Sequence, residues 1–271
     1  MNIITSPENI QIKNAAALKQ KKFRDKNNLF LIEGIRLVET ALQSNASIRD
    51  CFYLPAILEN NRAATLIEQL SQRENCFLHK ITTASLQKLT DTDSPQGIIA
   101  VVQKNTAALD ENLLSNKPVP AMIILDHLQD PGNLGTIIRT ADAAGIDAVI
   151  LTKGTVDVFS PKVVRSTMGS LFHLPIVTGV LPNDLKSFAV KNSITLISTV
   201  LSTDAAPCFS INYQQSVAVI FGNEGAGIST QMCSLSDKCI FIPMFGRNES
   251  LNASSAAAMI MYEIMRQKHY N

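Results

Sequence analysis

The sequence contains no CxxC pair, and no histidine stands at a metal-ligand spacing from a cysteine or from another histidine. Its cysteines, Cys51, Cys76, Cys208, Cys233 and Cys239, are odd in number, and His79, His127, His173 and His269 are scattered. No structural metal is expected, and reduced thiols in a cytoplasmic setting are the default. No apolar run approaches the roughly 20 residues that span a bilayer. The opening MNIITSPENIQ also lacks a basic segment followed by an apolar one, so a soluble intracellular protein is expected. An excess of one charge is missing too: the formal net charge is +1, and the chain as a whole does not read as a polyanion binder.

What is present is enough apolar material, 46% of 271 residues, for one large domain or two. Charge location says more than its sum. The N-terminal segment carries Lys13, Lys19, Lys21, Lys22, Arg24 and Lys26 against Glu8 and Asp25, which fits either a basic binding face or a solvated helix face. Ser6-Pro7 predicts the start of a helix running to Lys22. Strands are then expected at Leu29 to Glu33, Asp50 to Leu54, Cys76 to Lys80 and Gly97 to Gln103, with helices over Gly34 to Gln43 and Asn61 to Gln72. This alternation predicts a small α/β/α domain over residues 1–104. Residues 105–120, containing Asn112, Ser115, Asn116, Pro118 and Pro120, read as a linker to a second domain, 121–271.

That second domain has strand candidates AMIILD, AVILT, ITLIST, VAVIFG and CIFIPM, predicting a mostly parallel sheet covered on both faces. Ligands of such sheets gather at loops beyond the strand carboxyl ends, and three loops there are unusual. In LDHLQDPGNLGTIIRTADAAG, Leu134, Ile137, Ile138 and Ala141 form a buried stripe, and Arg139 lies about 150° from its middle at 100° per residue. Arg139 therefore points off its own sheet, either as a surface residue paired with Asp142 or as a functional one. FGNEGAGIS places three glycines where backbone amides can approach a ligand. Its GxxGxG spacing is not the GxGxxG of a dinucleotide loop, so a nicotinamide-dependent oxidoreductase is weakly supported. IFIPMFGRNESLNASSAAAMIMYEIMRQ reads as strand, loop and helix, with Ser250 and Asn252 able to cap the helix.

DPGNLGTIIRTADAAG, FGNEGAG and IPMFGRNESLNASSAAA together resemble the three motifs of the SpoU (TrmH-type) branch of the SPOUT class, S-adenosylmethionine-dependent RNA ribose 2′-O-methyltransferases. FLIEGIRLVETAL and SPKVVRSTMGSLFHLP resemble segments of members with an N-terminal RNA-binding module akin to a ribosomal protein. Asn248 and Ala253 stand where valine is more usual in the family. The resemblance implies an α/β fold with a trefoil-knotted catalytic domain that forms a homodimer through its knot, plus the smaller RNA-substrate-binding domain.

The implied cofactor is S-adenosylmethionine, and the implied partner is structured RNA, ribosomal more than transfer RNA. Carried over by motif position, Arg139 would activate the 2′-hydroxyl or bind its neighbouring phosphate; because guanidinium stays protonated, the phosphate role is physically easier. Its outward direction allows it to act in the partner subunit's site. Asn133 would orient Arg139 or the ribose, and Glu224, Ser250 and Asn252 would position the substrate and shape the loops. Backbone groups of Gly222, Ile242 and Leu251, with Thr199 as a weaker addition, would hold the cofactor's adenosine end. Lys13, Lys21, Arg24 and Arg165 are the RNA-contact candidates. A noncatalytic RNA-binding protein on the same fold is the alternative, opposed by the intact Arg139, Glu224, Ser250 and Asn252.

Overall fold

A computed structural model describes residues 3–115, 117–247 and 250–270. Asn248 lies outside them. The chain forms two compact units, one of residues 1–105 and 157–172, the other of 106–156 and 173–271.

The first unit contains α1 (Ile10–Ala17), α2 (Lys21–Asn27), β1 (Leu29–Glu33), α3 (Ile35–Gln43), β2 (Ile48–Tyr53), α4 (Asn61–Ser71), β3 (Phe77–Lys80), α5 (Thr83–Leu89) and β4 (Ile98–Gln103). The sheet order is β1-β4-β2-β3, with β4 antiparallel to β1 and β2, and β2 parallel to β3. Ile12, Ala15 and Leu18 share one core with Leu86 and Leu89 over Leu29, Leu31, Phe52, Ile99 and Val101. Phe30, alternating to the other face, packs on Phe159 with ring centroids 4.9 Å apart. Residues 157–172 thus belong to this unit, although the alternation of elements had assigned them to the second domain.

Two local expectations fail here. The first helix starts at Ile10, because Asn9 and not Ser6 caps it, its side-chain oxygen accepting from the Gln11 amide at 2.8 Å. Ser6 closes a turn instead, and the predicted single basic helix breaks before Lys21. Helix α5 was not foreseen at all.

The second unit contains β5 (Ala121–Leu125), α6 (Pro131–Ala143), β6 (Ala148–Thr152), β7 (Ile176–Val180), α8 (Pro182–Lys191), β8 (Thr195–Thr199), β9 (Ala206–Pro207), β10 (Val217–Phe221), α9 (Thr230–Leu235), β11 (Lys238–Phe241) and α10 (Ala253–His269); α7 (Pro161–Ser166) lies in the first unit. Its seven strands pair in parallel in the order β7-β6-β5-β10-β8-β11-β9. Every residue of β5, β6 and β10 is buried, as expected of parallel strands covered on both faces. One core joins Met122, Ile124, Ile150 and Ile220 to Leu185, Phe188 and Met232 of α8 and α9. Helices α6 and α10 pack against each other. The edge strand β7 was missed, since its exposed Thr178 and Gly179 interrupt the apolar run.

Candidate active site

The carboxyl ends of β5, β10, β8 and β11 lie side by side, with Phe221 opposite Leu125 and Ile240 opposite Thr199. Asp126, Gly222 and Ile242 follow immediately, so the three sequence-distant loops emerge at one end of the sheet. A hydrogen-bonded chain joins them. Glu224 Oε1 accepts from the Asn133 side-chain amide and the Asp130 backbone amide, both at 3.0 Å, and Oε2 accepts from the Gln129 amide at 3.2 Å. Asn133 in turn accepts, through Oδ1, from the Asn252 side-chain amide at 2.9 Å. Asn252 Oδ1 caps α10 by accepting from the Ser254 and Ser255 amides.

Three predicted residues, Asn133, Glu224 and Asn252, are therefore in direct contact across separations of 91 and 119 residues. Asn133 is buried inside the first turn of α6, whose N-cap Asp130 accepts from the Asn133 amide at 2.7 Å. For Glu224, partial burial pushes the carboxyl up, but the Asn133 side chain and surrounding backbone amides outweigh it and hold it below the ordinary glutamate range. The result is an anion whose oxygens are occupied by donors, suited to fixing loops and poor as a proton acceptor.

The glycines of this loop serve the loop itself. A Cβ on Gly222 would lie 2.1 Å from the Gly227 carbonyl carbon, and Asn223 and Gly227 exchange backbone hydrogen bonds of 2.9 Å. The side chain of Asn223 accepts from the Gly225 and Ala226 amides and donates to the His127 carbonyl, fastening the loop to the end of β5. Neither Asn223, inside the second motif, nor His127, three residues ahead of the first, is among the predicted site residues.

Arg139 is exposed, as its helical position predicts. Among the described residues it makes no hydrogen bond or ion pair, and Asp142 pairs instead with His173 at 3.1 Å. Ser250 is exposed and stands outside the network among the described residues. Thr199 is half-buried and donates its hydroxyl to the Ile220 carbonyl at 2.8 Å. The β10 to β8 ladder stops at Ile220, and the backbone N–H and C=O groups of the half-buried Gly222, Ile242 and Leu251 have no partner among the described residues. These backbone donors and acceptors, just beyond β10 and β11 and just before α10, fit the polar edge of a nucleobase such as the adenine of S-adenosylmethionine.

The RNA-contact candidates lie in the first unit and differ in kind. Arg24 is 3% exposed; it donates to Asp157 Oδ2 at 2.9 and 2.6 Å and to the carbonyls of Leu18 and Lys19. That corrects its assignment: an interior guanidinium with these partners has no free face for a phosphate. Lys13 and Lys21 are exposed but paired with Glu8 and Asp25, whereas Lys22 and Lys26 are exposed without an ion pair among the described residues. Arg165 is half-buried beside a small cavity lined by Glu33, Asp91 and Val164.

The SpoU rRNA Methylase family profile matches residues 120–262, and an MRM3-like substrate binding domain matches residues 9–100. The 23S rRNA (guanosine(2553)-2′-O)-methyltransferase RlmP of Bacillus subtilis is 38% identical over 97% of this chain and 99% of its own. An AdoMet-bound rRNA methyltransferase from Sinorhizobium meliloti superposes with a TM-score of 0.87 at 30% identity, covering 100% of this chain and 99% of that one. The SpoU methyltransferase AviRb from Streptomyces viridochromogenes, in complex with AdoMet, gives 0.88 at 29% identity over 97% and 100%. The three motif loops, their shared position at one sheet end and these similarities place the chain in the SpoU rRNA methylase family.

Proposed function

We infer that the protein transfers a methyl group from S-adenosylmethionine to a ribose 2′-hydroxyl of ribosomal RNA. The observation that carries this reading is the Glu224–Asn133–Asn252 chain, which assembles all three family motifs beside free backbone groups. S-adenosylmethionine, when bound, supplies a methyl carbon already activated by its sulfonium, so the protein has mainly to align a hydroxyl and assist loss of its proton. Gly222, Ile242 and Leu251 would hold the adenosine end through their backbone groups. Asn133 and Asn252, locked by each other and by Glu224, would set the loop that receives the ribose, with Ser250 at its rim.

Arg139, cationic and exposed, suits a phosphate next to the target ribose. As it points off its own sheet, this reading includes a homodimer in which Arg139 completes the partner subunit's site, and the knotted topology that the family resemblance implies. Residues 1–104 act as the RNA-substrate-binding domain, with Lys13, Lys21 and Arg165 as contacts, and the protein works in the cytoplasm. Among the described residues no helix is long and apolar enough to cross a membrane.

The test is transfer of labelled methyl to ribosomal and transfer RNA lacking native modification, by wild type and Arg139→Ala. Label in ribosomal RNA that vanishes with Arg139→Ala is expected. Label confined to transfer RNA would overturn the substrate, and full activity of a monomeric variant would overturn the shared site.

A further inference from the structure

The network leaves one chemical task without an agent. A 2′-hydroxyl that attacks a methyl carbon must lose its proton, yet Glu224 has donors on both oxygens, Asp130 caps α6, and Arg139, Asn133, Asn252 and Ser250 are not bases. One nitrogen base does stand at this end of the sheet. His127 follows β5 directly, with its ring Nδ1 2.9 Å from Asp126 Oδ1.

Asp126 is fully buried and also accepts from the Thr152 hydroxyl at 3.0 Å and the Ser229 amide at 2.8 Å. Since its oxygens act as acceptors, the proton of a neutral imidazole sits on Nδ1 and the lone pair on Nε2. The His127 side chain is 50% exposed. The ring lies over Gly154, where φ is +100° and a Cβ would approach ring Cδ2 to 2.7 Å.

The backbone shows the same commitment. His127 holds a φ of 55°, in the left-handed region that few residues other than glycine occupy and in which histidine, like asparagine and aspartate, is enriched. Its carbonyl accepts from the side-chain amides of Asn223, at 3.0 Å, and Gln129, at 2.9 Å. Asn223 precedes Glu224, and the Gln129 amide is one of the Glu224 donors. A buried carboxylate, an oriented imidazole and the motif loops are therefore one hydrogen-bonded assembly.

We propose that His127 Nε2 accepts the proton of the ribose 2′-hydroxyl, directly or through one water, a role that rests on the methyltransferase reading above. The 2′-O–H bond breaks as the O–CH3 bond forms and the C–S bond breaks; the S–C electron pair stays on sulfur, and S-adenosylhomocysteine leaves. The proton resides on Nε2, and the imidazolium is balanced by the Asp126 carboxylate until solvent removes the proton.

Glycine and asparagine both tolerate a positive φ, so His127→Gly and His127→Asn remove the base with little backbone strain. Single-turnover methyl transfer at saturating RNA and S-adenosylmethionine is expected to fall by about 10²-fold or more in both. Cofactor affinity by calorimetry should remain that of wild type, and added imidazole should restore part of the rate to His127→Gly. Rates near wild type in the folded variants would overturn the proposal, as would a loss that imidazole leaves untouched while RNA affinity falls in parallel. Absence of transfer by the wild-type protein itself would instead overturn the underlying function.

Discussion

Two arginines mark regions of opposite character. Arg24, in the first unit, is buried and donates four hydrogen bonds, two of them to Asp157. Arg139, on the second unit's α6, is exposed and has no partner among the described residues. The first holds residues 157–172 to a unit otherwise built from the N-terminal part of the chain; the second contributes nothing visible to its own fold. A charge committed to packing and a charge left free are what separate a structural residue from a functional candidate. Neither sequence position nor local charge density distinguishes them.

The sharpest way to break the comparison is to remove each arginine. Arg24→Ala should destabilise the protein by about 3 kcal/mol, because it leaves the largely buried Asp157, 12% exposed, without its cation. Arg139→Ala should lie within about 0.5 kcal/mol of wild type. Denaturant unfolding followed in the first unit decides this, and equal losses would abolish the distinction.

Next in size is Glu224→Gln, which replaces an all-acceptor anion by a group whose NH2 must face a backbone donor. A loss of about 1 kcal/mol is expected at neutral pH, kept small by the exposure of this residue. The sign of its pH dependence is fixed by the depressed folded-state value. The charged Glu224 contributes fully above the ordinary glutamate pKa, and that contribution disappears as pH falls through the lower folded value. Thermal melting across that acid range should be steeper for wild type than for Glu224→Gln; parallel curves would contradict the assignment.

Asn252→Ala should cost about 1 kcal/mol by uncapping α10. Because it also cuts the link to Asn133, it should lower methyl transfer more than cofactor affinity, as single-turnover kinetics and calorimetry can show. The smallest effect belongs to Lys13→Ala. It should leave the melting temperature nearly unchanged and reduce the slope of log affinity for RNA against log salt by about one, a change that filter binding at several salt concentrations resolves.

What could be read from the residues alone follows the same division. The continuous apolar runs of β5, β6 and β10 announced a parallel sheet, because both faces of those strands are buried. Helical periodicity gave the outward direction of Arg139. The short edge strand β7 lacked such a signal, and the packing of Phe159 on Phe30 is a tertiary contact that no periodicity contains. Within the site, the motifs named Asn133, Glu224 and Asn252, but not that Glu224 would be clasped by the loop before α6. The Asp126–His127 pair stands in the first quoted loop, ahead of its motif, yet its significance depends on the burial of Asp126 and the backbone angle of His127.

The central claim is ribose methylation by the assembled loops, and the direct measurement is nucleoside analysis of unmodified ribosomal RNA after incubation with the protein and labelled S-adenosylmethionine. The account predicts label in a single 2′-O-methylated nucleoside that resists alkaline cleavage at its 3′ phosphodiester. Label on a base, or none in RNA despite bound cofactor, would contradict it.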